Sequence, residues 1–167
     1  MLCALTLAAL FALAPPPTCR VPATATPIGE AELAAVLRDA HHAEAGSFPP
    51  RQRLTMATAH VMFETGRAGG YVASEQHNLG AIGAPSGPFV KVAGHRLRAA
   101  PDFVDAARAY WRTVLRCGSA VRSFDDFAPE EAARALGNCG YHRTDRDVYG
   151  RALRGLVGSA ERAVSVL

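Results

Sequence analysis

Glu64 closes an apolar run, and Leu54, Ala57, Val61 and Glu64 are spaced three, four and three apart. At about 100° per residue they fall on one narrow arc of a helix, so the carboxyl is expected to point where the core residues point. Gly66, with Gly69 and Gly70 close behind, is expected to end that helix. Burial disfavours the charged carboxylate, and so does the negative end of the helix dipole. A carboxylic acid that keeps its proton near neutral pH can give it to a leaving group, which is general-acid chemistry. The plainer alternative is a helix-terminal glutamate paired with Arg67 or another arginine.

Other constellations carry less. His60 and Glu64 lie one turn apart, but there is no HExxH pattern and no third ligand at a suggestive distance, so neither a metal nor a cofactor is expected. No Ser-His-Asp order or nucleophile elbow is present. His41 and His42 read as surface or helix-end residues, Asp125-Asp126 as a turn, and Trp111 as core. A net charge of +3, with Lys91 the only lysine, is too small to imply nucleic acid. It is compatible with an anionic surface such as a cell wall.

The elements that must position Glu64 are mostly helical. Apolar spacing predicts helices over Glu30 to about Glu44, Gln52–Thr65, Phe103–Leu115, Pro129–Leu136 and Asp145 to about Val157. Thr26-Pro27 is a start signal for the first, Asp102 and Asp105 suit the start of the third, and Glu130-Glu131 suit that of the fourth. Between the second and third helices, Asn78–Leu97 holds Gly80, Gly83, Gly87 and Gly94. There Phe89–Val92 and His95–Leu97 are expected to form a small ribbon across turns. At 167 residues the chain is expected to hold a single domain, here residues 29–167, as a monomer.

Residues 1–14, MLCALTLAALFALA, read as a signal segment with Ala12-Leu13-Ala14 as its cleavage pattern, although no Lys or Arg precedes the apolar run. The run is too short to span a bilayer comfortably, so no integral membrane span is expected. Residues 15–28, rich in Pro, Ala and Thr, read as a linker. Export to the periplasm or the cell exterior permits disulfides. Cys3 would leave with the signal, Cys19 sits in the linker, and Cys117 and Cys139 are expected to pair. Two buried free thiols are the alternative. A loop of that size contributes about 3 kcal/mol in the chain-entropy model.

Four stretches in order resemble the bacterial glucosaminidase family that cleaves peptidoglycan. They are Glu64-Thr65-Gly66, then Asn78-Leu79-Gly80-Ala81-Ile82, then RLRAAPDFVDAARAYWRTVL, then GYHRTDRDVYGRAL, with Arg146 where proline is common. The resemblance runs from about Leu33 to Leu156. It implies a mainly α lysozyme-like domain with a small β-hairpin lobe, and a groove between them for a glycan strand. Glu64 would protonate the glycosidic oxygen after N-acetylglucosamine. Tyr141 would orient substrate or its N-acetyl group, unless it is a core aromatic. Asn78 would bind sugar or cap its turn. Tyr149 also matches a family position, although its helical spacing favours core packing.

One departure stands out. Most glycosidases use two carboxylates flanking the bond, and this family's second acid is sought in the β-lobe. No Asp or Glu occurs between Glu75 and Asp102, and Lys91 or a neighbour stands where relatives often place an acid. Either Glu75 serves, or the substrate's own N-acetyl oxygen attacks the anomeric carbon, or activity is weak or lost. Substrate assistance is the preferred expectation. A lytic transglycosylase and a non-catalytic wall-binding module are the alternative functions.

Overall fold

The computed structural model describes residue 20 and residues 25–68, 71–84, 87–92 and 94–167, with backbone alone for 67–68 and 71–75. The expected signal segment, Cys3 and Cys19 lie outside the described residues. Helices make up 61% of the structure, joined by small antiparallel sheets, so the chain is mainly α with a small β lobe.

The chain enters through β1 (Ala25–Gly29) and continues into α1 (Glu30–Ala45) and α2 (Arg51–Glu64). Two acids in the first turn of α1 suit the positive end of its dipole. Gly46 closes α1 at φ 74°, donating its N–H to His42 O at 2.9 Å. Residues 25–28 are therefore not linker. They pair antiparallel with β3 (Tyr71–Glu75), and Ile28 is buried. The sequence hid this because Ala25, Pro27 and Gly29 make a poor strand signature. β2 (Arg67–Ala68) completes the sheet in the order β1-β3-β2. The expected ribbon is β4 (Phe89–Val92) against β5 (His95–Arg98).

α3 (Phe103–Leu115) begins on Asp102, whose side chain accepts from Asp105 N at 2.8 Å. α4 (Gly118–Asp125) was not expected from the sequence. It starts on glycine without a side-chain cap and is only two turns long. α5 (Pro129–Asn138) has its proline in the first turn, and α6 (Arg146–Val164) runs well past the expected end. It continues through Gly155 and Gly158 because Ala160, Ala163 and Val164 keep an apolar face against the core.

α2 is the central element. Every residue from Leu54 to Met62 is buried, and α1, α4 and α6 pack around it. Its buried hydroxyl on Thr58 is satisfied by Leu54 O at 2.8 Å. Trp111 is fully buried in the core as expected, and its indole N–H donates to Leu37 O at 2.7 Å, tying α3 to α1.

His41 lies near the end of α1, but its expected surface placement is corrected: it is fully buried. Arg53 donates to its Nε2 at 3.1 Å, so its Nδ1–H donates to Ser47 O at 2.8 Å. Arg53 also grips Asp125 with two bonds of 2.6 and 2.8 Å, joining α2 to the end of α4. Cys117 and Cys139 form the expected disulfide, Cα–Cα 6.0 Å, between the start of α4 and the end of α5.

Candidate active site

Glu64 is the last residue of α2, and the turn after it brings the chain into the β lobe. Thr65 N–H and hydroxyl both return to Val61 O, at 3.0 and 2.6 Å, and Gly66 follows at φ 64°. The helix therefore stops within one turn of the carboxyl, and Glu64 sits at the negative end of the α2 dipole. Its side chain keeps only 15% exposure.

Tyr149 of α6 donates its hydroxyl to Glu64 Oε1. Behind it lies His60, one turn earlier on α2, with Nε2 2.7 Å from the Tyr149 hydroxyl and Nδ1 2.9 Å from that of Tyr110 on α3. His60, Tyr110 and Tyr149 are all essentially inaccessible to solvent. Burial raises the Glu64 pKa above the ordinary carboxylate value, and the Tyr149 hydrogen bond offsets part of that rise. Burial, helped by the neighbouring His142, lowers the His60 pKa to about 3, so its imidazole is neutral. Burial and the negative field of Glu64 raise the pKa values of Tyr110, Tyr141 and Tyr149, so the phenols stay protonated. Such a carboxyl keeps its proton to higher pH than a free one, the direction a general acid needs. The side chain of Arg67, the arginine nearest in sequence, lies outside the described residues. His60 also has no nitrogen left for a metal, because tyrosine hydroxyls occupy both.

Tyr141 lies in the α5–α6 connection. Its hydroxyl donates to Gly80 O and its ring packs 4.8 Å from His60. Gly80 has φ 76°, and a Cβ there would stand 2.5 Å from the Tyr141 hydroxyl and 2.7 Å from Tyr110 Cδ2. Only glycine lets the 78–82 loop approach these tyrosines so closely. His142 stacks on Tyr149 at 3.8 Å and donates from Nε2 to Ala133 O at 3.0 Å. Tyr141 and His142, with His95, Gly140, Arg143 and Thr144, line a cleft of about 660 Å3 between the β4–β5 hairpin and the start of α6. One wall of this cleft is thus the layer that touches Tyr149 and His60.

The other expected residues fall in different places. Asn78 is buried, donates from Nδ2 to Ile82 O and Arg98 O at 2.9 Å each, and accepts from Ile82 N at 2.8 Å. Its amide is occupied in holding the loop, the turn-capping alternative rather than a sugar contact. Tyr149 is only 1% exposed, so burial keeps it from substrate and its polar contact is with Glu64. Glu75 ends β3 opposite Ala25, and its side chain lies outside the described residues. Among the acids near the β lobe, Asp105 pairs with Arg98 at 2.8 Å and Asp102 caps α3. Three contributors escaped the sequence reading of the site: His60, Tyr110 and His142. The spacing of His60 to Glu64 was visible, but its contacts to tyrosines 50 and 89 positions away were not.

No family model matches the chain, and neither a curated protein nor a solved structure matches it.

Proposed function

We propose that the protein is a glycoside hydrolase that cuts the β-1,4 bond after N-acetylglucosamine in peptidoglycan, with Glu64 as general acid on a lysozyme-like scaffold. The observation that carries this reading is the Glu64 carboxyl itself: sheltered at a helix end, favoured in its protonated form, and held by a phenol donor. The order of the Glu64-Thr65-Gly66, Asn78–Ile82 and Gly140-Tyr141 segments adds to it, with Tyr141 bonded to Gly80 and packed on His60, one turn before Glu64.

In the proposed reaction Glu64 gives its proton to the glycosidic oxygen as the bond from C1 to that oxygen breaks. The N-acetyl carbonyl oxygen of the substrate closes on C1, making a cyclic oxazolinium. Water then opens that ring, and the Glu64 carboxylate takes the proton from the water. This route needs one acid, which suits a β lobe whose segment from residue 76 to 101 holds none. Tyr141 lines the proposed glycan cleft, and its ring packs against His60, one turn before the acid. The Cys117–Cys139 disulfide suits the oxidising compartment where such a substrate lies. No helix among the described residues is long and apolar enough to cross a membrane.

The test is the chemistry of the ends. Purified sacculi digested by the protein are expected to yield fragments with reducing N-acetylglucosamine ends by mass analysis. Anhydro-muramic ends would assign a lytic transglycosylase instead. Binding to sacculi without release of fragments would leave a wall-binding module.

A further inference from the structure

His60 is a fully buried histidine whose ring nitrogens both meet phenol hydroxyls. A neutral imidazole has one donor and one acceptor nitrogen. Which is which follows from Glu64. Tyr149 spends its one hydrogen on Glu64 Oε1, the only direction open once Glu64 has given up its proton and its carboxylate can only accept. The Tyr149 oxygen then accepts from His60, which places the ring proton on Nε2. Nδ1 is left to accept from the Tyr110 hydroxyl. Three hydrogen bonds therefore run in one direction, from Tyr110 through His60 and Tyr149 to Glu64.

We propose that His60 is a positioning residue for the acid: its Nε2–H holds the Tyr149 hydroxyl in place, Tyr149 keeps Glu64 Oε1 as an acceptor, and the transferable proton is carried on Oε2. The proposal rests on the reading of Glu64 as the acid. Nothing has to travel along the chain. When Oε2 gives up its proton, negative charge appears on the carboxylate and the Tyr149 donation strengthens. A phenol whose oxygen already accepts a hydrogen bond is the better donor. Water does not substitute for the histidine, since His60 and Tyr110 are wholly inaccessible. The titratable groups facing this chain from the elements around α2 are Tyr110 of α3, Tyr141 and His142 of the α5–α6 connection, and Tyr149 of α6. Phe63 and Phe124 close the remaining sides of Tyr149 and His60.

The test uses the full chain and NMR. In the wild type, the 15N shifts of His60 are expected to show a protonated Nε2 and a bare Nδ1; the opposite tautomer overturns the proposal. The Glu64 carboxyl is then titrated by its 13C shift in wild type, His60→Gln, His60→Leu, Tyr149→Phe and the double variant His60→Leu/Tyr149→Phe. Glutamine can donate through its amide nitrogen and accept through its oxygen, so His60→Gln is expected to keep the wild-type titration. His60→Leu weakens Tyr149 as a donor and is expected to raise the Glu64 pKa. The alkaline limb of kcat/KM on sacculi is expected to move up with it, and kcat to fall about tenfold. Tyr149→Phe is expected to do at least as much, and adding His60→Leu to it nothing further. An unmoved Glu64 titration in folded His60→Leu, or a further shift in the double variant, overturns the proposal. Shifts as expected in a protein that cleaves no glycan would uphold the hydrogen-bond order and sink the hydrolase reading alone.

Discussion

Glu64 is costly to keep. A buried carboxyl with a raised pKa binds its proton more tightly in the folded than in the unfolded chain, so it lowers stability as pH rises through the folded value. Glu64→Gln is therefore expected to melt higher than wild type at about pH 8, with the gap closing as pH falls through the raised Glu64 pKa. Equal melting temperatures across that range, by calorimetry, would show that the carboxyl is not held in a disfavouring site. Gly80 tests the neighbouring layer. A methyl group there meets two tyrosines at a positive φ, so Gly80→Ala is expected to cost about 1–3 kcal/mol in urea unfolding. At this scale the sequence was partly legible. The place of Glu64 at a sheltered helix end was legible from its spacing and its glycines. Asn78 was open between sugar and turn, because an amide at a loop start serves either, and only its three bonds decide.

The stripe containing Leu54, Ala57 and Val61 suggested one inward face, yet α2 is buried on every side from Leu54 to Met62. The shelter of Glu64 thus comes from being at the end of a central helix rather than on the apolar side of a surface one. Thr55, Thr58 and His60 masked this, since polar letters in a helix read as solvent-facing until their partners are known. The long helices α1 and α3 were legible from apolar spacing and end signals. α4, β1, β2 and β3 were not, being short, weakly capped or poor in strand-forming residues. The α4–α5 pair carries its own constraint. Cys117 and Cys139 close a loop of 22 positions, and replacing both by serine is expected to cost about 3 kcal/mol. For a chain of this size that is a melting-temperature drop of about 6–12 °C. A drop of under a degree would mean that core packing alone holds α4 and α5 together.

On the scale of the molecule, α2 carries an acid to the junction of a helical body and a β lobe, and α3 and α6 supply the tyrosines that hold it. The cleft of about 660 Å3 between the β4–β5 hairpin and the start of α6 falls within the span of small-molecule sites, on the order of 300–1,000 Å3. Mainly α with a small β lobe was legible from the chain, because one glycine-rich stretch separates two helical regions. The convergence at the junction was not, since it depends on contacts between residues as far as 89 positions apart. The proposed hydrolase stands on one step, in which Glu64 donates the proton that breaks the glycan. The most direct measurement is release of soluble fragments from purified sacculi by wild type and by Glu64→Gln, each checked for fold by circular dichroism and for binding by sedimentation with the sacculi. Glu64→Gln is expected to fold and bind like wild type and to release fragments at least about 100-fold more slowly. A variant that folds, binds and releases them at the wild-type rate would contradict it.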